Sequence, residues 1–292
     1  MKTLRLGFTD TFGAIENFFT EILSREFNIV RDDVNPDYLI FGDRNFGGNN
    51  VNYNNKNCIK IFYTGENERP HNYQCHYAIT FDHIDDDRHY RLPLYVIYDH
   101  DNKKRNVPHA DNCRRSLDAL AKPKDFCSFI VKNPGCEKRN NFFHRLNAYK
   151  PVTSAGPLFN NHPPLARGED SVKSKLEFLP KYKFNLCFEN SSYAGYATEK
   201  LYEALVGGTI PIYWGSPTID CDFNTRAFLN WHNYQDDDKF FDAIVQLDND
   251  YEKYVDMYFE PMHWEFSKNK YYDLDRFVYW FKKNVYKGVI NG

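Results

Sequence analysis

Short apolar blocks alternate along the chain with stretches whose apolar positions recur every three or four residues, a pattern that predicts strands and helices in turn. Leu4 to Phe8 reads as a first strand, and Ile15, Phe18, Phe19, Ile22, Leu23 and Phe27 follow at helical spacing. Further strands are expected at Tyr38 to Phe41, Ile59 to Tyr63, Tyr77 to Phe81 and Leu94 to Ile97, then a short helix at Cys113 to Leu120. Residues 45–57 are dominated by Asn and Gly without usable periodicity and read as a surface loop. Lys122-Pro-Lys-Asp reads as a linker. After it a second series begins with a strand at Phe126 to Val131 and a helix around Arg139 to Leu146. Helices at Ser171 to Leu179 and Phe240 to Leu247 continue that series, and residues 270–286 close the chain with Tyr271, Leu274, Phe277, Val278, Phe281 and Val285 at helical spacing. Strands alternating with helices on both sides of a linker predict the α/β class and two units, 1–122 and 123–269. The closing helix, extended to 290, is free to pack back on the first of them. There is no internal repeat, heptad array or low-complexity tail.

One run combines all three kinds of pattern. Phe184 to Phe188 is an apolar strand, Glu189 to Ala197 a polar loop, and Thr198 to Val206 a helix, followed by Gly207-Gly208 and the strand-like Ile210 to Gly215. It sets Glu189, Asn190, Tyr196, Glu199 and Lys200 between the carboxyl end of a buried strand and the first turn of a helix. In open α/β sheets ligands bind in that crevice, and helix N-termini favour a phosphate.

Composition narrows the partners. Apolar residues make up 42 % and aromatics 17 % of the 292 residues, enough for a substantial core, and the formal charge of −3 argues against nucleic acid as principal partner. No early stretch has signal-peptide form and no eighteen apolar residues run uninterrupted, so a cytoplasmic protein without a transmembrane segment is expected. Seven cysteines without a C-x-x-C pair argue against a disulfide framework or structural zinc, and Cys127 and Cys187 read as reduced core residues. The sequon Asn190-Ser191-Ser192 reads as chance or as part of the site.

Each candidate side chain has a bland reading beside a chemical one. Lys200 in a first helical turn and Arg139 near the start of another helix, close to Lys138 and Lys132, suit a pyrophosphate, each with charge-assisted hydrogen bonds of roughly 1.5–3 kcal/mol; equally, both suit a solvated surface. Glu199 is either an acceptor for sugar or ribose hydroxyls or an ordinary first-turn acid behind a Thr198 cap, and Glu189 and Asn190 either contact ligand or cap backbone groups. Glu66 and Glu68 follow a strand and a glycine turn in Phe62-Tyr-Thr-Gly-Glu-Asn-Glu68, where either acts as general base or is merely solvated. The acid pairs at 85–87, 99 and 101, 220 and 222, 236–238, and 248 and 250 are too many for a specific metal motif. The ten histidines show no ligand spacing, so no metal is assigned.

The segment from Phe184 to Pro217 resembles the signature of the α-1,3/4-fucosyltransferases. Phe126 to Pro134 with Arg139 to Phe143, Lys175 to Tyr182, and Phe62 to Glu68 also resemble bacterial, Lewis-antigen-forming members of this family, glycosyltransferase family 10. The resemblance spans about residues 59–235. It implies a GT-B fold, two Rossmann-like domains facing across a cleft with the nucleotide sugar on the second, and inverting transfer of L-fucose from GDP-β-L-fucose. It further implies that Arg139 and Lys200 neutralise the pyrophosphate, that Glu189, Asn190, Tyr196 and Glu199 belong to the donor site, and that Glu66 is the base, with Glu68 as runner-up. The expected acceptor is the 3-hydroxyl of GlcNAc in N-acetyllactosamine-type (Lewis x) chains, as in lipopolysaccharide. No cofactor is required, metal stimulation is left open, and peripheral attachment to the inner membrane is compatible. Transfer from another donor or to another acceptor, including α-1,4 transfer to type 1 chains, is one alternative reading; a catalytically silent carbohydrate-binding relative is the other. Departures from the family are Lys132, where relatives commonly have Ser, and Thr11-Phe12 in place of an aromatic pair. The heptads and basic tail of some relatives do not occur before Gly292, so dimerisation or membrane association by that route is not expected.

Overall fold

A strand covered on both faces needs apolar side chains on both, and the short apolar blocks become parallel strands for that reason. The computed structural model describes residues 1–113, 115–122, 124–264 and 270–286. In chain order it begins with β1 (Lys2–Thr9), α1 (Gly13–Leu23), β2 (Phe27–Arg31), β3 (Tyr38–Phe41), β4 (Ile59–Tyr63), β5 (Tyr77–Thr80), β6 (His89–Arg91) and α2 (Leu94–Lys104). It continues with α3 (Leu117–Leu120), β7 (Asp125–Phe129), α4 (Glu137–Tyr149), β8 (Val152–Ser154), α5 (Ser171–Phe178), β9 (Tyr182–Phe188), α6 (Glu199–Val206) and β10 (Ile210–Trp214). The last elements are β11 (Leu229–Asn230), α7 (Asp237–Asn249), α8 (Tyr251–Phe259) and α9 (Leu274–Trp280).

Contacts divide the chain into two compact units, Met1–Ile97 with Lys270–Gly292, and Tyr98–Asn269. The first holds a parallel sheet in the order β2-β1-β3-β4-β5-β6. Its core includes Phe19 of α1, whose ring lies 5.8 Å from that of Phe277 of α9. The second holds a parallel sheet in the order β11-β10-β9-β7-β8. Phe142 of α4, Phe188 of β9 and Phe240 of α7 cover it, with Phe142 centred 4.9 Å from Phe188 and 5.4 Å from Phe240. In this second sheet the strand order reverses between β7 and β9. Loops leaving the carboxyl ends of those two strands therefore diverge, and such a switch point is where doubly wound sheets hold ligands.

Several expectations need correction. The break between units falls after Ile97 and not at 122, because 98–122 is tied to the second unit by polar groups. Tyr202 donates to Asp99 Oδ1 at 2.9 Å, Asn102 donates to Tyr202 at 3.3 Å, and Arg115 donates to the carbonyls of Thr209 and Ala227. Leu94 to Ile97 opens a helix and is not a strand. Its first turn buries Tyr95, Val96 and Ile97 as one apolar block, and the buried positions further along, Asp99 and Asn102, are polar, which hides the helical period from a hydrophobicity reading. Phe27 leaves the first helix and starts β2, still buried, so either placement satisfied its side chain. The expected helix from Cys113 shrinks to one turn capped by Ser116, which accepts from Ala119 N at 3.1 Å. Residues 45–57 contain a 3₁₀ turn at Asn49–Tyr53. The closing segment is a 3₁₀ turn, Lys270–Tyr272, then α9 and a π-helical turn at Phe281–Val285. Residues 287–290 of the expected closing helix lie outside the described residues.

Candidate functional site

The site of the second unit starts at the end of β9, where Glu189 is wholly buried. Its Oε1 accepts from the Thr198 amide at 2.8 Å, and its Oε2 accepts from Lys200 Nζ at 2.9 Å. The Thr198 hydroxyl lies 2.9 and 2.7 Å from the two carboxylate oxygens and accepts from Lys200 Nζ at 2.8 Å. Thr198 occupies the N-cap position of α6, yet its side chain makes no cap bond. Thr198 is therefore not a side-chain cap, since its hydroxyl is spent on Glu189 and Lys200, while Glu199 keeps the place of a first-turn acid. Glu199 Oε1 stands 3.5 Å from the same ammonium, so Lys200 lies between two carboxylates.

Arg139 comes from α4, beyond the loop that leaves β7, and has 0 % exposure. Its Nη1 donates to Asn190 Oδ1 at 2.8 Å and to the Phe188 carbonyl at 3.3 Å, and its Nη2 donates to the Asn133 carbonyl at 2.5 Å. All three partners are neutral. Its Nε is buried without a hydrogen-bond partner among the described residues. A buried guanidinium that is hydrogen-bonded to neutral oxygens, owns an unused donor and feels Glu189 and Glu199 only through space suits a further anion. The sequon side chain Asn190 is part of this arrangement, Tyr196 is almost wholly buried, and the carboxylates of Glu189 and Glu199 lie near enough to act on Arg139 electrostatically. Arg139, Glu189, Asn190, Tyr196, Glu199 and Lys200 are thus gathered at the β7/β9 switch point. Asn190, Glu199 and Lys200 are partly exposed, whereas Arg139, Glu189 and Tyr196 lie beneath them.

Burial and charge act against each other here. Burial tends to raise the Glu199 carboxyl, but Lys200 and Lys175 outweigh it and hold the group down at about 2. Burial tends to lower the Lys200 ammonium, but Glu189 and Glu199 raise it above its ordinary value. For Arg139 burial wins and the pKa is lowered. A carboxyl depressed in the folded state stabilises the fold above its unfolded pKa, near 4.5, and loses that contribution as pH falls toward 2. Denaturant unfolding at pH 6 and pH 3 is therefore expected to show a larger loss for the wild type than for Glu199→Gln. Equal losses would reject the charge-held Glu199.

Two residues that sequence reasoning did not single out as site residues support this cluster. Lys175 of α5 donates to Glu203 Oε2 at 2.6 Å, and Glu203 sits one turn after Glu199 on α6. Its i+4 spacing from Glu199 was the available signal. Gly215, just past β10, closes the site from the other side. A Cβ there would fall 2.6 Å from Glu189 Cγ and 2.5 Å from the Tyr213 hydroxyl. Gly215→Ala is expected to lower the melting temperature, at a cost of about 1–3 kcal/mol, by forcing those groups apart; an unchanged melting curve would contradict it.

Glu66 belongs to the first unit. It sits on the turn after β4, where Thr64 Oγ1 accepts from the Glu66 amide at 2.9 Å and donates to buried Asp43 at 2.6 Å. Gly65 is required by close approach, because a Cβ there would come within 2.9 Å of Leu94 Cδ1. Glu68 stands 3.6 Å from Arg44.

The acid pairs serve structural tasks. Asp236 and Asp250 cap α7 and α8, Asp99 takes Tyr202, and Asp248 takes Lys150 and Lys183. Among the described residues no group of three His, Cys, Asp or Glu is placed to hold a metal ion, and no helix is long and apolar enough to cross a membrane. Cys127 and Cys187 are fully buried thiols, both pushed up by burial.

Comparison with known proteins ties this geometry to a family. Residues 5–98 match the alpha-(1,3)-fucosyltransferase FucT N-terminal domain, and residues 119–283 match the C-terminal domain of glycosyltransferase family 10 (fucosyltransferase). The chain is 35 % identical over 304 aligned residues to alpha-(1,3)-fucosyltransferase FucT of Helicobacter pylori, covering 92 % of this chain and 59 % of that protein. It thus spans about three fifths of that relative's length. A crystal structure of an alpha1,3-fucosyltransferase superposes with a TM-score of 0.80 at 31 % identity, covering 96 % of this chain and 89 % of that one. Another, of an alpha1,3-fucosyltransferase with GDP-fucose, gives 0.78 at 30 % identity over 100 % and 93 % of the two chains. The fold is GT-B, built from two Rossmann-like α/β units. With both of its units matched, the chain belongs to glycosyltransferase family 10.

Proposed function

We propose that the chain is an inverting α-1,3-fucosyltransferase that moves L-fucose from GDP-β-L-fucose to the 3-hydroxyl of GlcNAc in N-acetyllactosamine-type chains, such as those of lipopolysaccharide. The observation that carries this reading is the cation pair at the β7/β9 switch point, where buried Arg139 has neutral hydrogen-bond partners among the described residues and Lys200 stands at the start of α6. A family 10 member needs a place to receive the charge of a departing nucleoside diphosphate, and these two cations suit it.

In the proposed reaction Glu66 accepts the proton of the acceptor hydroxyl as that oxygen attacks C1 of fucose. The bond from C1 to the β-phosphate oxygen breaks, GDP departs with its added charge facing Lys200 and Arg139, and configuration at C1 inverts from β to α. Attack and departure occur on opposite faces of an oxocarbenium-like centre, as in inverting glycosidases. Asn190, Tyr196 and Glu199 hold the donor. Glu189 orients Lys200 from beneath. Because Arg139 is buried under Asn190, direct contact between its guanidinium and the diphosphate requires the Asn190 side chain to turn away.

GDP release on mixing GDP-fucose with N-acetyllactosamine, with the new linkage assigned by NMR, tests the reading. An α-1,3-linked fucose is the expected product; activity only with another nucleotide sugar or acceptor would replace the donor or acceptor assignment. Two fixed cations take the part that a metal plays in other transferases, so transfer is expected to persist in EDTA. Loss of activity on chelation, restored by Mg²⁺ or Mn²⁺, would show that the cations alone do not suffice.

A further inference from the structure

The first unit carries a second concavity that none of the roles above uses. It is a cavity of about 670 Å³ between the loop after β5, the edge strand β6 and the start of α9. That volume is within the ordinary range for small-ligand sites. Three tyrosines, Tyr90, Tyr271 and Tyr279, contribute to its wall. Tyr90 is anchored by packing against Phe277 at 5.2 Å and Trp280 at 5.3 Å, and Tyr271 lies 4.6 Å beneath the Arg91 guanidinium. Tyr279 is 66 % exposed and so presents its ring to whatever enters.

The charges of the wall identify the class of ligand. The wall carries four aspartates, two arginines, a lysine and a histidine, of which Asp82 is paired with Arg69 and Asp275 with Arg25, a nearly balanced set that neither a phosphate nor a cationic ligand would select. Planar charged groups next to aromatic faces suit a neutral polyol: carboxylates accept from hydroxyls, guanidinium groups donate to them, and rings cover the apolar C–H faces of a sugar. The cavity is also joined to the turn that carries Glu66. Arg69 pairs with Asp82 of the cavity wall and donates to Asn67, the residue after Glu66, while its guanidinium lies 4.5 Å over Phe81.

We propose that this cavity is a glycan subsite that binds a sugar residue of the acceptor chain remote from the one being fucosylated. The inference rests on the fucosyltransferase reading and names where the acceptor is held. A subsite of this kind makes the protein prefer longer acceptors through binding.

The test compares a disaccharide, N-acetyllactosamine, with a hexasaccharide of three such repeats, measured by calorimetry and saturation-transfer NMR without donor. The wild type is expected to bind the hexasaccharide roughly tenfold more tightly, about one good contact's worth. Tyr279→Ala and Arg276→Ala, both at exposed positions of α9, are expected to bring the hexasaccharide down to the disaccharide's affinity and leave the disaccharide unchanged. Equal affinity for the two glycans in the wild type, or a length preference that survives both substitutions, overturns the subsite. Fucosyl transfer to the disaccharide, assayed separately, reports on the enzyme reading: length-dependent binding lost in the variants while no fucose is transferred keeps the subsite and rejects the transferase.

Discussion

Glu66→Gln is expected to lose roughly 10²–10⁴ in turnover, the usual worth of a positioned general base, while GDP-fucose binds with unchanged affinity. The substitution keeps the shape and removes the charge, and it leaves the bonds to the backbone of the turn in place. Thr64 binds the Glu66 amide, Asp43 binds Thr64, and the Glu66 carbonyl accepts from the Glu68 amide at 2.7 Å. Loss of activity with an unchanged melting curve therefore reports on the carboxylate and not on a disordered turn. Near-normal turnover in Glu66→Gln would reject the role. In that event Glu68→Gln becomes the deciding variant, although Arg44 draws that carboxylate into an ion pair. A pH profile separates the two outcomes further: a base lost by substitution removes the acidic limb of the rate profile, whereas a binding defect leaves the limb in place.

Much of this site could be read in the chain because strand ends and helix starts carry their own signals. Phe184 to Phe188 and Ile210 to Trp214 are buried on both faces and read as apolar blocks, which located the crevice. Ile59 to Tyr63 did the same for the turn of Glu66. What could not be read were elements whose buried positions are polar. Strand β6 buries His89 and Arg91, and α2 buries Asp99 and Asn102 after an apolar first turn at Tyr95 to Ile97, so hydrophobic spacing gave no strand for the one and no helical period for the other. The true break between units lay hidden for the same reason, since it is polar bonds from Asp99, Asn102 and Arg115 that tie 98–122 to the second unit. At the site itself, residue types and spacing found the members without their pairings. Thr198 reads as a cap from sequence, and only the structure assigns its hydroxyl to Glu189 and Lys200. Arg139 reads equally as a pyrophosphate ligand or a surface cation, because nothing in its neighbours announces burial under Asn190.

That pairing determines what removal of Lys200 will do. Lys200→Met is expected to weaken GDP binding roughly 10- to 150-fold, corresponding to about 1.5–3 kcal/mol for a lost charge-assisted contact to the diphosphate. The same substitution strips buried Glu189 of its hydrogen-bonded counter-charge, leaving it the Thr198 bonds and the more distant Arg139, and a stability loss of up to about 3 kcal/mol is expected. The two effects have different remedies. In the double variant Lys200→Met with Glu189→Gln the buried charge is gone, so unfolding stability recovers, but no cation returns to the ligand and GDP affinity stays low. Calorimetry and denaturant unfolding on all four members of that cycle separate the terms. Unchanged GDP affinity in Lys200→Met removes Lys200 from the donor site, and affinity restored in the double variant reduces it to a counter-ion of Glu189. Arg139→Lys is the companion measurement. It keeps the positive charge but forfeits the fork that spans Asn133, Phe188 and Asn190, so a weakened affinity there shows that geometry as well as charge is needed at the leaving diphosphate.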